Sequence, residues 1–303
     1  MSVWPRLGRV AAYWGWRSSS AIAQRLPVRL TYAFAVAGGD LAYLVWGSKR
    51  VVARRNLATV LGLAPEHPQV AAVARRSFRN FARYLVEIMR FPALGAHDID
   101  RLVAIEPAMW QHLHAAREGG KGVIFVSIHF GNFELGGARI AAEFPVTVIV
   151  DDLGNAGLMD ILANNRKHKN ITIQTPDGAA KKVLRALRRN ELVGLMMDLG
   201  PRALAFSNVE VDFFGRRATF PAVAAELARA SGAPVIVAVT MRERGDRFRT
   251  IAQPPIVVSR TADPALDVQS ATQRIVNGIE TFVKGAPDQW YIFRPIWSTG
   301  AAG

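Results

Sequence analysis

The chain has 303 residues, 50% hydrophobic and 20% charged, a composition that suits one large domain or a domain with a smaller appendage. It contains no cysteine, which excludes thiol catalysis, disulfide bonds and a cysteine-ligated zinc site. The formal charge of +14 is uneven: residues 1–90 hold 14 Lys/Arg against three Asp/Glu, and the remaining residues carry only +3. A basic N-terminal third on a nearly balanced body indicates an anionic partner surface, either acidic lipid or nucleic acid.

The beginning of the chain has the composition of a membrane interface, where amphipathic rings lie among basic residues. The interleaved residues are Trp4, Arg6, Arg9, Tyr13, Trp14, Trp16 and Arg17. The next segment, Val28 to Gly47, is long enough to span a bilayer. It contains Arg29 and Asp40, and charges inside a span are costly. We therefore expect a helix or broken helix that lies on the membrane or packs on the body, the alternative being a core helix of a soluble domain with a solvated basic face.

The periodicity predicts helices up to about Leu94, including an amphipathic helix over Gln69–Met89 that ends at Phe91-Pro92. We assign residues 1–94 to a basic, helical, membrane-associating section and residues 95–303 to an α/β domain. Beyond residue 121, short apolar runs alternate with helical stretches, which is typical of βαβ units in a mainly parallel sheet. The predicted strands are Gly122–Ile128, Val146–Val150, Ile171–Gln174, Leu192–Met197, Val209–Phe213, Pro234–Thr240 and Phe248–Ala252.

The segment Val126–Glu134 (VSIHFGNFE) contains the most informative residues of the chain. The strand predicted over Gly122–Ile128 delivers His129 to its carboxyl end, where open α/β sheets usually bind ligands. Glu134 falls in the first turn of the next helix, from where it can hydrogen-bond one imidazole nitrogen and leave the other as a general base. The alternative is a polar residue at a strand end with an unrelated surface glutamate.

Further candidate side chains follow in chain order. Asp151 and Asp152 close the second predicted strand, and Arg166 lies late in the following helix. Asp198 ends the fourth predicted strand at the same sheet edge as His129, where it offers the imidazole a second carboxylate. Each has an ordinary alternative, such as a capping aspartate or a solvent-facing arginine.

The last patch, Asp212–Pro221, is predicted to form a turn with an apolar wall, two cations and the start of a helix. Its candidate residues are Phe213, Phe214, Gly215 and Arg216. Plain core packing is the alternative for the two phenylalanines.

Together these patches resemble those of the bacterial lipid A biosynthesis late acyltransferases and of their actinobacterial relatives, the phosphatidylinositol mannoside acyltransferases. The resemblance covers nearly the whole chain and rests on His129-x4-Glu134, Arg166, Asp198, Phe213-Phe214-Gly215, Pro221, Ser231-Gly232-Ala233-Pro234 and Gln289-Trp290-Tyr291 with Trp297. The closing segment lacks the basic pair that the Gram-negative enzymes commonly carry near their final tryptophans. This difference weakens lipid A as the acceptor.

The resemblance implies an α/β fold of the glycerol-3-phosphate acyltransferase type, with a mainly parallel central sheet flanked by helices, on the inner face of the cytoplasmic membrane. It implies transfer of a fatty acyl chain from acyl-CoA or acyl carrier protein to a hydroxyl of a glycolipid or phospholipid. We expect no cofactor, no metal and no nucleic acid partner. The acceptor lipid, the acyl length, the donor and the oligomeric state stay open.

In this reaction we expect His129 to take the hydroxyl proton while Glu134 or Asp198 holds its far nitrogen. Arg166 is expected to supply positive charge to the oxyanion or to a phosphate group. The substrate-binding role extends to Asn132, Asp152, Phe213, Phe214, Gly215 and Arg216, with the phenylalanines and the helix after Phe133 as walls for the acyl chain.

Three other functions compete with this interpretation. A nucleic-acid-binding protein would use the same basic section, although no helix-turn-helix or RNA-recognition pattern is present. A metal-dependent hydrolase would use His112, His114 and His129, although residues two apart on a helix point away from each other. A non-catalytic membrane scaffold would need no histidine at a strand end.

Overall fold

The computed structural model describes residues 4–150, 155–174, 178–198 and 207–297. The helices are α1 (Trp4–Arg25), α2 (Val28–Val45), α3 (Gly47–Leu61), α4 (Pro68–Arg90), α5 (Ala96–Leu102), α6 (Pro107–Glu118), α7 (Phe133–Ala141), α8 (Ala156–Lys167), α9 (Ala179–Arg188), α10 (Val223–Ser231) and α11 (Pro264–Gly285). The strands are β1 (Val103–Ile105), β2 (Val123–Ser127), β3 (Val146–Ile149), β4 (Ile171–Gln174), β5 (Leu192–Met196), β6 (Asn208–Phe213), β7 (Arg216–Pro221), β8 (Val235–Arg242) and β9 (Phe248–Ala252).

Seven of these strands form one sheet, in the order β1-β9-β8-β2-β5-β3-β4. Neighbours in the sheet are parallel except for the antiparallel pair β8 and β9. The central strands β2, β5 and β8 read as continuous apolar runs because helices cover both faces of the sheet. The predicted α/β class with a mainly parallel central sheet is therefore confirmed.

The hairpin of β6 and β7 is the main departure from the sequence prediction. These strands pair antiparallel with each other and stand apart from the large sheet. Residues 216–221 form a strand rather than the start of a helix, because Phe214 and Gly215 both adopt positive φ (54° and 69°) and make the two-residue turn that joins antiparallel strands. The helix begins only at Val223.

The N-terminal helices pack on the carboxyl edge of the sheet. α2 lies antiparallel along α4, so that Tyr32 contacts Glu87 near one end and Asp40 contacts Arg79 near the other. α4 in turn reaches the closing segment of the chain, where the Ser77 hydroxyl donates to the Trp290 carbonyl oxygen at 3.2 Å. The residues that follow β2 and β5 thus lie between the sheet and this helical layer.

Candidate active site

His129 follows β2 directly, at the carboxyl edge of the sheet. Its carbonyl oxygen accepts a hydrogen bond from the Tyr291 amide (2.7 Å), and its ring contacts Phe133 edge to face at 5.3 Å. The chain then turns sharply at Gly131 (φ 55°), which lies so close to the Thr240 carbonyl oxygen that a Cβ there would overlap it. The loop therefore holds the histidine from two sides while 26% of its side chain stays exposed.

The carboxylate of Asp198, at the end of the neighbouring strand β5, contacts the imidazole. Its Oδ1 lies 2.7 Å from His129 Nδ1, and its Oδ2 accepts from the His129 amide (2.9 Å) and from Trp290 Nε1 (3.1 Å). Burial raises the pKa of this carboxyl, but His129 and the hydrogen bonds outweigh burial, so the pKa of Asp198 lies below its ordinary value. Because an ionised carboxylate only accepts, a neutral imidazole carries its proton on Nδ1 and keeps a free lone pair on Nε2.

Glu134 pairs with Arg166 of α8 instead of with His129. Arg166 Nε donates to Glu134 Oε2 at 3.0 Å, and Arg166 Nη2 donates to Oε1. Both side chains are nearly buried, at 7% and 12% exposure. Burial lowers the pKa of Arg166, but the charge of Glu134 and its hydrogen bonds together outweigh burial, so the net shift of the pKa is upward. Of the two carboxylates that the sequence offers to the histidine, Asp198 is the one in contact, since neighbouring parallel strands lie only about 4.8 Å apart.

An apolar cavity opens beside this pair of residues. It lies between α7 and the strands β2, β5 and β3, and its volume is about 130 Å³. Glu134 and Arg166 line its polar end, and Arg166 Nη1 is buried there with no hydrogen-bond partner among the described residues. Phe133 lines the cavity and also contacts the His129 ring, so the cavity begins one side chain away from the imidazole. The apolar walls include Phe125, Ile140, Val148, Ile171 and Leu195.

A sequence model of the family described as bacterial lipid A biosynthesis acyltransferase matches residues 8–299. The chain belongs to this family. It is 26% identical over 288 residues to the phosphatidylinositol mannoside acyltransferase of Mycolicibacterium smegmatis, covering 93% of this chain and 89% of that protein. It is 27% identical over 257 residues to the protein of the same name from Mycobacterium tuberculosis, covering 80% and 76%. This protein is therefore an acyltransferase.

Several residues predicted to touch substrate do not line this cavity. Asn132 is 1% exposed, and its side chain caps α7 and donates to Glu87 instead of facing the cavity. Phe213 is fully buried, stacked on Trp297 at 5.5 Å, and it does not line the cavity beside Phe133. Both positions follow from packing, because the Asn132 side chain caps a helix and the Phe213 ring packs against a tryptophan in the core.

The remaining candidates lie on the β6–β7 turn or outside the described residues. Phe214 and Arg216 line a separate groove with Trp297, where Arg216 Nη1 donates to the Thr59 hydroxyl at 3.2 Å. Gly215 lies at the tip of the turn between them. Asp151 and Asp152 fall outside the described residues. Within the described ranges, no group of three or more His, Asp or Glu side chains is arranged to hold a metal ion.

The closing segment contributes contacts that the motifs alone did not assign. Trp290 donates to the Asp198 carboxylate, and Arg294 Nη2 donates to the Asp198 carbonyl oxygen at 2.7 Å. Both residues belong to the tryptophan-rich end that carries the family resemblance, but nothing in their spacing relates them to a residue more than 90 positions earlier. The fold brings the end of the chain over the end of β5.

Proposed function

We propose that this acyltransferase moves a fatty acyl chain from an acyl thioester to a hydroxyl of a glycolipid, with His129 as the general base. One observation carries the proposal: His129 Nδ1 lies 2.7 Å from a buried carboxylate, one side chain away from an apolar cavity. The reaction requires a base for the hydroxyl and an apolar site for the chain. The two relatives named phosphatidylinositol mannoside acyltransferase support a glycolipid acceptor.

In the proposed step, the Nε2 lone pair of His129 takes the proton of the acceptor hydroxyl as its oxygen attacks the thioester carbonyl carbon. The new C–O bond gives a tetrahedral oxyanion, and the C–S bond then breaks. The imidazolium returns its proton to the departing sulfur, which leaves as a thiol. General-base assistance of this kind is worth roughly 10²–10⁴-fold.

Asp198 and Arg166 have separate tasks in this mechanism. Asp198 holds the Nδ1 proton and stabilises the imidazolium by its negative charge. Arg166 lines the polar end of the cavity, and its buried Nη1 has no hydrogen-bond partner among the described residues. We assign this guanidinium to the developing oxyanion or to a phosphate group of the substrate. Glu134 fixes the guanidinium by two hydrogen bonds and so acts through Arg166.

The acyl chain is proposed to enter the cavity between α7 and the sheet. Its lining is almost wholly aliphatic or aromatic away from Glu134 and Arg166. Burying one methylene group there is worth about 0.8 kcal/mol. The Phe213 ring, which the sequence offered as a wall, is packed in the core away from this cavity.

The N-terminal section is proposed to hold the enzyme on the inner face of the cytoplasmic membrane. α2 is the one helix in the described part of the chain that is long and apolar enough to cross a bilayer, and 17% of it is buried. Its Asp40 pairs with Arg75 and Arg79 of α4, which runs alongside, so a span by α2 would draw these charges into the hydrocarbon. A helix lying on the membrane avoids this cost. Its exposed apolar residues are Val28, Leu30, Phe34, Leu41, Leu44 and Val45.

The test is mass-spectrometric lipid profiling of bacterial membranes incubated with the enzyme. Parallel arms supply acyl-CoA and acyl-loaded carrier protein, with His129→Ala as the inactive variant and His114→Ala, an exposed histidine on α6, as the matched control. We expect one glycolipid to gain an acyl chain with wild type and with His114→Ala, but not with His129→Ala.

Comparison of the acyl-CoA reaction with the carrier-protein reaction identifies which thioester donates the acyl chain. No acylated lipid from wild type in either arm would contradict the proposed reaction. If His129→Ala turned over substrate at the wild-type rate, the role of the histidine would be contradicted while the acyltransferase assignment stayed in place.

A further inference from the structure

Glu87 is a buried carboxylate outside the catalytic pair, and three side chains donate hydrogen bonds to it. It is the one acid in α4, and 5% of its side chain is exposed. The Tyr32 hydroxyl donates to Oε1 at 2.8 Å, and Arg242 Nη2 donates to the same oxygen. Asn132 Nδ2 donates to Oε2 at 2.6 Å. Helix α2, strand β8 and the start of α7 therefore meet at one carboxylate.

Asn132 connects Glu87 to the loop that carries His129. Its Oδ1 accepts a hydrogen bond from the Leu135 amide at 2.9 Å and thereby caps α7, and its own amide donates to the Thr240 carbonyl oxygen at 2.9 Å. A backbone amide can only donate, so the side-chain amide of Asn132 has a single orientation. Its oxygen faces the helix and its nitrogen faces Glu87.

Both side-chain oxygens of residue 87 must therefore accept a hydrogen bond. One oxygen faces the Asn132 amino group and the other faces the Arg242 guanidinium, and neither of these groups can accept. A carboxylate meets this requirement. A glutamine would place an amino group against one of the two donors, and the simplest relief would rotate Asn132 and remove the cap of α7.

The same cluster also holds the middle of the catalytic loop. The side chain of Gln289 accepts from the Arg242 amide (2.7 Å) and donates to the Arg242 carbonyl oxygen (2.9 Å). The Gln289 carbonyl oxygen accepts from the Gly131 amide at 3.0 Å. Gly131 and Asn132, the second and third residues after His129, are thus both tied to the neighbourhood of Glu87.

We propose that Glu87 is a positioning residue for acyl transfer: through Asn132 it sets the start of α7, and with it the placement of His129 and Glu134. The effect on turnover rests on the function proposed above. The effect on the loop does not, because the hydrogen bonds that Asn132 donates to Glu87 and accepts from Leu135 are independent of the reaction.

The experiment exchanges the donor and the acceptor across the Glu87–Asn132 contact. Glu87→Gln sets an amino group against either the Asn132 amino group or the Arg242 guanidinium, and Asn132→Asp sets two carboxylates face to face. The double variant restores the hydrogen bond with its direction reversed, because Gln at 87 donates to one Asp oxygen while the other still caps Leu135. For each protein we measure kcat, KM, the melting temperature and hydrogen exchange at the Leu135 amide.

We expect each single variant to lower kcat by on the order of 100-fold with little change in KM, and to speed exchange at the Leu135 amide. The double variant should recover most of both losses, which a merely destabilising pair of substitutions would not do. Asp267→Asn is the matched control, because Asp267 is a buried carboxylate on α11 that also accepts a hydrogen bond from an arginine, Arg229. We expect this substitution to lower the melting temperature without changing kcat.

Wild-type exchange and wild-type kcat in Glu87→Gln would overturn the proposal. So would single-variant losses that the double variant fails to repair. If the wild-type enzyme acylates no lipid, the proposed function fails while exchange at Leu135 still decides whether Glu87 positions the loop.

Discussion

The two carboxylate pairs of the candidate active site, His129–Asp198 and Glu134–Arg166, have similar geometry and different electrostatics. In each, a carboxylate is held by a nitrogen base at hydrogen-bond distance. Asp198 pairs with an imidazole, whose second ring nitrogen can accept a proton, whereas Glu134 pairs with a guanidinium that keeps its charge. The first pair can move a proton, and the second can only hold a charge in place.

The difference originates in the elements that carry the residues. His129 and Asp198 end two adjacent parallel strands, whose spacing is fixed by the sheet. Glu134 and Arg166 lie on two helices that cover the sheet, beside the apolar cavity. The rigid sheet edge therefore carries the proposed proton transfer, while the helices carry the charge proposed to receive the substrate.

The largest effect should come from Asp198→Asn. The amide cannot stabilise the imidazolium and favours the wrong tautomer of His129, so we expect kcat to fall by on the order of 10⁴-fold. The measurement is steady-state acyl transfer, with Asp212→Asn on the exposed hairpin as the control. A loss in kcat of less than tenfold would mean that a residue other than Asp198 orients the His129 ring.

Breaking the Glu134–Arg166 pair should mainly reduce the stability of the folded protein. Glu134→Gln leaves the Arg166 guanidinium buried without a counter-charge, and we expect the free energy of unfolding to drop by about 3–5 kcal/mol. Glu134→Gln combined with Arg166→Met should lose less, because it removes both charges. Denaturant titration measures the two values. Equal losses in the single and double variants would contradict the expectation that the uncompensated Arg166 charge is what destabilises Glu134→Gln.

A side chain introduced at Gly137 should shorten the acyl chain that the enzyme prefers. Gly137 lines the cavity, and a Cβ there would meet only Ile171 Cδ1, at 4.0 Å. Gly137→Leu should shift the donor preference toward shorter chains, and Gly137→Ala should shift it by a smaller amount. Competition between acyl donors of mixed length measures the shift. An unchanged product distribution in Gly137→Leu would exclude the cavity as the acyl site.

The smallest effect concerns acid stability. The pKa of Asp198 is lower in the folded protein than its ordinary value of 3.8, so its stabilising contribution is present above pH 3.8 and is lost as the pH falls through the folded pKa. The stability difference between wild type and Asp198→Asn should therefore shrink as the pH falls below about 4. Urea titrations across this range measure it. A difference that fails to shrink below about pH 4 would contradict the lowered pKa of Asp198.

The sheet and its carboxyl edge were predictable because parallel strands leave a direct signal. Their apolar runs appear in the sequence as uninterrupted segments, and the residue after each run falls at a known edge. This is why His129 and Asp198 were expected on the same side of the sheet. The β6–β7 hairpin was missed because its turn uses Phe214 at positive φ, a conformation that few residues other than glycine, asparagine and aspartate adopt.

The pairing of charges within the site was less predictable. Glu134 and Arg166 are 32 residues apart, and Glu87 and Arg242 are 155 residues apart. Local periodicity does not relate such positions, so the partner of each carboxylate emerged only from the packing of helices on the sheet. The one available signal was compositional: Glu87 is the one acid in an arginine-rich helix.

The central claim is that Asp198 holds the proton of His129 on Nδ1 and leaves Nε2 as the base. The most direct test is nitrogen-15 NMR of the His129 imidazole in the wild-type enzyme near neutral pH, assigned by comparison with His129→Gln. We predict that the neutral form of the ring is protonated at Nδ1 and unprotonated at Nε2. A neutral ring protonated at Nε2 would contradict the account, because no lone pair would then remain to accept the proton of the acceptor hydroxyl.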